Sequence, residues 1–515
     1  MFKISDFREP LLAIFLAIDV GTTSLKAALF DRNGRLLAID RQEYPLLTPT
    51  PAFVELDVEV YWQACCASVH NVIDRYGAKP ADVAAVCVTG QGETLLFLDA
   101  DGKPIHNAIV WLDQRAVEEA QQIAGLFGVD EIYQITGQPE VQPGWPACKI
   151  LWLRKNKPDI FNRTAKYLMV EDFLLYRLTG GYYTDYSLQS SSLLLDVKHR
   201  AWWPEILDYL GIRADQLGKL VNSGEVIGHL TGAGAEAIGL TTSTVAVSGG
   251  MDQIVGAVGA GNVTSGVVSE ITGGALAILA SIDRPLLDPG RRVPCQVHAP
   301  AGMYCLMPYG LTAGMALKWF RDEFLQFESR EALANGLDPY DAMTQLASTA
   351  PAGSNDLIVL PHLEGAYCPE FNPAAKAVFF GATLRHSKAH FIRAILESVA
   401  FMLKRNLALL ENMGTPIRTI YSLGGAARSD LWLQIKADVL QKSITTLQVE
   451  EAPLLGAAIL GATATRQYAT IDEAVGHMVQ GKKVIEPDPA LEAVYRRGYE
   501  RYVKLYESLI PLFSS

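Results

Sequence analysis

Two stretches of the chain, about half its length apart, run through the same succession: apolar strand, turn of small and hydroxyl-bearing residues, second apolar strand. The first is LAIDVGTTSLKAALF, residues 16–30, and the second is VVSEITGGALAILA, residues 267–280. Identity between them is low. A shared pattern at that separation still points to two related halves meeting across a cleft. A boundary near 262–266, where Asn262, Thr264, Ser265 and Gly266 supply turn chemistry, divides the chain into 1–262 and 263–515.

The pattern around the first start predicts strands over 16–20 and 27–30, a hairpin at Asn33-Gly34, a third strand, a helix over 57–76 and a buried strand over 83–90. A second hairpin signal lies at Asp101-Gly102. Strand–strand–strand–helix–strand is a mixed α/β sheet and argues against a Rossmann domain. The stretch 145–245 carries Trp145, Trp152, Trp202 and Trp203 and reads as an elaboration for substrate contact or interdomain packing, with core packing of the rings as the alternative. In the second half, Phe391, Ile392, Ile395, Val399, Met402 and Leu403 recur at helical spacing. A strand over 419–423, the turn Gly424-Gly425-Ala426, and helices near 429–441 and 453–465 follow.

Composition narrows the function classes. A length of 515 residues suggests several domains, and 49% hydrophobic with 19% charged residues is globular usage. The net charge of −12, without a basic run, argues against a nucleic-acid or anionic-membrane partner. Seven Cys without C-x-x-C read as reduced thiols, and nine scattered His give no zinc-ligand spacing. The apolar run 11–18 ends at Asp19, is too short to span a bilayer and is followed by no signal-cleavage pattern. The expectation is a soluble cytoplasmic protein.

Four turns can carry chemistry. Asp19-Val20-Gly21-Thr22-Thr23-Ser24 ends an apolar strand; its backbone N–H groups and hydroxyls can cradle phosphate oxygens, and Asp19 can hold Mg²⁺. A hairpin turn bonding its own backbone is the alternative. Ile271-Thr272-Gly273-Gly274 is the matching turn, and two such turns facing each other would clamp a polyphosphate. Ser248-Gly249-Gly250-Met251-Asp252-Gln253 follows a strand and precedes a Gly/Ala-rich helix. Asp252 there is a general base for a substrate hydroxyl or a helix N-cap. Gly424-Gly425-Ala426-Ala427-Arg428-Ser429-Asp430 would let an adenine lie against the backbone, or is simply a strand-to-helix connection.

In this order the pieces resemble the FGGY family of carbohydrate kinases, within the actin-like ATPase superfamily, from about Leu16 to Thr465. GWPACKILWLRKN (144–156), with Lys149 and Trp152, fits one family signature. FFGATLRHSKAHFIRAILES (379–398) fits a second from His390 to Glu397 and departs at Ala382. Residues 424–462 look like the adenosine motif and its closing helix. The resemblance implies two actin-like (ribonuclease H-like) domains with a cleft between them, the first holding sugar and a phosphate turn and the second the nucleotide. It also implies ATP and Mg²⁺ as cofactors, and a small sugar or polyol as partner. It makes Asp252 the base, places Asp19 at Mg²⁺, and puts Thr22, Thr23, Ser24 and Lys26 near the phosphates. Thr272, Gly273, Gly314, Gly425 and Ser429 fall on nucleotide-contacting positions, while Ile271 departs from the glycine common before that threonine. A homodimer stays open.

The acceptor-side residues are mixed. Gln91-Gly92-Glu93-Thr94 looks like the glycerol kinase segment N-Q-R-E-T without its arginine; Trp111 occupies a tryptophan position shared by both subfamilies, while Asp113 is closer to the xylulokinase pattern W-x-D-x-R; Gln253 after the base is glycerol-kinase-like. Glu93, Trp111, Asp113, Asp252 and Gln253 are therefore the candidate acceptor contacts, hydroxyls meeting carboxylate and amide groups beside an aromatic face. The volume freed at Gly92 favours a ketopentose such as D-xylulose over glycerol or another polyol. An actin-like ATPase without sugar kinase activity is the reading from another class.

Overall fold

A computed structural model describes residues 13–513, so Leu11 and Leu12 of the N-terminal apolar run lie outside the described residues. Among these residues, no helix is long and apolar enough to cross a membrane.

The repeat read from sequence is a repeat of topology. In the first half, strands Leu36–Glu43, Ser24–Phe30 and Ile14–Val20 form an antiparallel meander. The last of these pairs in parallel with Val83–Gly90, which pairs in parallel with Val245–Met251, and the antiparallel edge strand Val226–His229 closes the sheet. In the second half, Tyr304–Leu306, Leu276–Ile282 and Val267–Thr272 form the meander. Thr419–Leu423 and Ile444–Leu447 come next in parallel, and Gly481–Ile485 closes the edge antiparallel. The central strands read as continuous apolar runs because both faces are covered, as in Ile14–Val20, where only Asp19 is not fully buried.

A smaller sheet elaborates the first half: Leu47–Thr50, Phe53–Leu56, Ala108–Ile109, Leu95–Leu98 and Lys166–Met169. The tryptophans belong here to a core. Trp152 and Trp203 are buried with Leu95, Phe97, Ile150 and Ile206, and Trp145 and Trp202 pack half-buried against them. The substrate-contact expectation for these rings gives way to the packing one.

The halves meet along two helices. Asp252–Gly259 leaves the first sheet, and Ala452–Ala464 comes from the second half, yet it lays Leu454, Leu455 and Ala458 among Phe15, Ala17, Ala85 and Cys87 of the first sheet. Two glycines let these backbones touch. A Cβ on Gly259 would lie 1.9 Å from the Ala452 carbonyl, and one on Gly456 would lie 1.9 Å from the Val255 carbonyl. The change of sheet falls between Met251 and Val267, the interval that contains the sequence boundary.

Candidate active site

Strand register places the carboxyl groups. Asp19 is level with Thr89, which is level with Gly250, and Val20, Gly90 and Met251 form the next row. Asp19, Glu93 and Asp252 thus sit at or just past the carboxyl ends of three adjacent parallel strands, where open α/β sheets bind ligands. Asp252 is half-buried at the first turn of its helix, and its Oδ1 accepts from the Gln253 N–H at 2.6 Å. Burial pushes its carboxyl up to about 8; the Asp19 and Glu93 carboxylates add to this, and the Gln253 N–H opposes it. Asp19 rises to about 6 through burial, with Lys26 pulling the other way. Burial also raises Glu93, whose backbone takes a left-handed φ of 59°. Asp252 feels both the Asp19 and the Glu93 carboxylates, so both lie close to it.

The first phosphate turn is closed by the Gly21 N–H donating to the Ser24 carbonyl at 2.9 Å. Gly21 is fixed from outside: its own carbonyl accepts from Tyr44 Oη at 2.6 Å and Gln91 Nε2 at 3.1 Å. Thr22 is half-buried and Thr23 exposed, while Ser24 is buried. Trp111, 41% exposed, donates from Nε1 to Thr22 Oγ1 at 2.8 Å, so the indole and the phosphate turn are neighbours. Lys26 is half-buried, and its Nζ lies 2.6 Å from Glu451 Oε2 in the second half. This ion pair ties the start of the helix Ala452–Ala464 to the first sheet.

Asp113 is not an open acceptor contact. Its side chain is fully buried; Oδ1 accepts from Arg115 N and Nε, and Oδ2 from Val54 N and Arg115 Nη2. Arg115 also pairs with Glu55 at 2.7 Å and lies over the Phe53 ring. With its lone pairs committed, Asp113 braces the loop carrying Trp111. Gln253, half-buried, bonds through its backbone to Asp252. At Gly92 a Cβ would touch Ser191 Oγ at 3.5 Å and Met251 Cε at 3.6 Å, so these two side chains flank the space an arginine would take.

The second half contributes a cavity of about 360 Å³ lined by Thr272, Gly273, Gly314, Gly425 and Ser429, all five expected nucleotide positions. Its chemistry is backbone. Gly273 and Gly425 are open, and a Cβ at either would meet no atom within 4 Å. Gly314 would put a Cβ 2.3 Å from the Gly273 carbonyl, to which its own N–H donates at 3.0 Å. Gly424 takes φ 80° and would put a Cβ 2.9 Å from the Thr272 carbonyl. Only glycine permits these approaches. The Thr272 hydroxyl is spent internally, donating to Glu270 Oε2 at 2.7 Å and accepting from the buried Lys436 Nζ at 2.9 Å. Ser429 Oγ caps the helix Asp430–Leu440 by accepting from Trp432 N. Ile271 packs with Ala260, Leu423 and Leu447 rather than into the phosphate approach.

Sequence reasoning missed further lining of this cavity: Asp338, which caps the helix Pro339–Ser348, Tyr340, Asp341 and Thr344 on that helix, and Trp432. Asp338-Pro339 signals a helix start, but nothing local says what that helix faces. It also assigned no role to Lys149, which is fully buried, donates to the Glu93 carbonyl at 2.8 Å and the Ile109 carbonyl at 3.2 Å, and is pulled down to about 7 by burial.

Comparison with known proteins agrees with this arrangement. Residues 14–259 match the N-terminal domain of the FGGY family of carbohydrate kinases and residues 289–465 its C-terminal domain. The chain is 32% identical to a gluconokinase of Bacillus subtilis, covering 97% of this chain and 94% of that protein. It is 29% identical to a xylulose kinase of the same organism, covering 95% and 96%. Among solved structures, a xylulose kinase from Rhodospirillum rubrum superposes with a TM-score of 0.90 at 26% identity, covering 98% of this chain and all of the other. Two duplicated actin-like sheets, a row of carboxyl groups at the first and a glycine-built cavity at the second belong together: the chain is a member of the FGGY family of carbohydrate kinases.

Proposed function

We propose that the chain transfers the γ-phosphoryl group of ATP to a terminal hydroxyl of an uncharged ketose or polyol, with a ketopentose such as D-xylulose as the acceptor class. One observation carries the choice of an uncharged acceptor. Asp19, Glu93 and Asp252 crowd one space, while the nearby cations are already engaged: Lys149 and Arg115 are buried on carbonyls and carboxylates, and Lys26 beside Asp19 is paired with Glu451. An aldonate such as gluconate would bring another negative charge into that space, against which such a site discriminates.

In this reading Asp252 accepts the proton of the acceptor hydroxyl as its oxygen attacks the γ-phosphorus. Trp111 offers C–H surface for the carbon chain, and Glu93 accepts from its hydroxyls. The open backbone of Gly273 and Gly425 admits the nucleotide. Asp19 suits Mg²⁺: its Oδ1 is buried without a hydrogen-bond partner in a strand-end position, the oxygen donor that ion takes. Bound there, Mg²⁺ would neutralise charge on the phosphates. The boundary at 262/263 then separates the acceptor-binding half from the nucleotide-binding half.

The test is an ADP-release assay with ATP and Mg²⁺ across ketopentoses, glycerol and gluconate. The expected order puts a ketopentose first by kcat/KM and gluconate at least ~10²-fold lower, with Asp252→Asn losing ~10²-fold or more in kcat. Gluconate outperforming every uncharged compound refutes the charge argument.

A further inference from the structure

The polypeptide that delivers Asp252 is irregular. Val245–Met251 keeps parallel register with Val83–Gly90 as far as Ser248↔Val88, then skips to Gly250↔Thr89, leaving Gly249 as a bulge. A Cβ on Gly249 would lie 1.9 Å from the Val88 carbonyl, and Gly250 takes φ 130°. Such a bulge re-aims the residues beyond it, and its backbone groups need partners other than the sheet. The partners are side chains. Glu171, fully buried on the helix Val170–Thr179, accepts from Gly249 N at 3.1 Å and Gly250 N at 3.0 Å on Oε1, and from Gly250 N at 3.1 Å on Oε2. Ser187 Oγ accepts from Met251 N at 3.2 Å, and Thr89 Oγ1 donates to the Gly250 carbonyl at 2.7 Å. Ser187 is held in turn by Asp185, whose Oδ1 accepts from Ser187 N and Leu188 N and whose Oδ2 accepts from Ser223 Oγ. Every N–H from Gly249 to Met251 therefore donates to a side chain of another element.

We propose that Glu171 is the positioning residue of the phosphoryl-transfer site: it holds the 249–250 bulge so that Asp252 meets the acceptor hydroxyl, with Ser187 as its second anchor. Among the described residues no cation bonds to Glu171, and a carboxyl kept in a buried site beside Asp172 and Asp185 is unfavourable for folding alone. Its geometry accounts for its presence, since an apolar residue would leave two buried N–H groups without acceptors. The inference rests on Asp252 being the base.

The experiment compares Glu171→Leu, Glu171→Gln, Ser187→Ala and Asp252→Asn in the full chain, reading kcat, acceptor KM, ATP KM and the melting curve. Misplacement by an ångström costs ~10²-fold in rate. Glu171→Leu is expected to lose ~10²-fold in kcat with ATP KM unchanged, because the nucleotide cavity lies in the other half. Glu171→Gln, whose amide oxygen still accepts, restores most of that loss, and Ser187→Ala loses ~3- to 10-fold in kcat. A folded Glu171→Leu with near-normal kcat overturns the proposal, as does Glu171→Gln failing as badly as Glu171→Leu. If Glu171→Leu does not fold, an unchanged kcat in Ser187→Ala overturns it and a kcat-selective loss supports it. Loss in Asp252→Asn with normal Glu171→Leu sinks the positioning role alone; turnover surviving in Asp252→Asn sinks the site reading itself.

Discussion

Raising the pH should switch the site on. Asp252 has its carboxyl pushed up to about 8 against an ordinary value of 3.8, by burial first and the Asp19 carboxylate second. In its proposed role as proton acceptor it works only when ionised. With a midpoint near 8, about one molecule in eleven carries the base form at pH 7 and about ten in eleven at pH 9. The kcat/KM for the acceptor, measured with both substrates well below KM so that it reports the free protein, should rise about tenfold from pH 7 to pH 9. Removing the neighbouring charge with Glu93→Gln should move the midpoint toward acid. Stability carries the opposite sign. A raised carboxylic pKa contributes stability that is whole below the unfolded value and lost as pH rises through the folded one. Asp252→Asn, with no proton to lose, should therefore melt higher than the wild type, by about 2–4 °C at pH 8 and by little at pH 4. A flat or falling kcat/KM from pH 7 to 9, or a melting difference that does not grow with pH, refutes the reasoning.

Two further outcomes check other parts of the site. Gly314→Ala places a methyl 2.3 Å from the Gly273 carbonyl, so the turn must shift; ATP KM should rise ~10-fold or more by steady-state kinetics with acceptor KM little changed. Asp113→Ala leaves the buried Arg115 with half its partners. Chemical denaturation should show a loss of about 3–5 kcal/mol, whereas an unaltered stability with a large rise in acceptor KM would restore Asp113 as a direct contact.

Much of the frame is legible because it is written in local pattern. Apolar runs ending in Asp19-Val20-Gly21 and in Ile271-Thr272-Gly273 announce buried strands with exposed turns, and the duplicated topology follows from them. The glycines of the second-half cavity are readable too, as turn glycines and through the family resemblance, though only Gly314 and Gly424 are held to glycine by a close backbone approach. The hidden part depends on distant partners. Asp113 looks identical in sequence whether it faces an acceptor or Arg115, and only the fold brings Glu55 beside that guanidinium. Lys26 is placed near the phosphates by the family resemblance, but its Nζ meets Glu451, 425 positions away. The tryptophans of 145–203 mislead because large rings serve cores and sugars equally well.

The touching glycines of the two joining helices bear on how this chain can be divided. The helix Ala452–Ala464 is encoded with the second half but forms part of the lining of the first sheet. Expressing 1–262 by itself would leave Phe15, Ala17 and Ala85 facing water where Leu454 and Leu455 belong, and 263–515 would carry an apolar helix with no seat. The natural seam for fragment complementation is therefore not the change of sheet but the chain just before Glu451, with the detached helix supplied to the rest as a plug. Closing the Gly259–Gly456 contact with a bulkier residue on either side would pry the plug out without touching a single residue of the cleft.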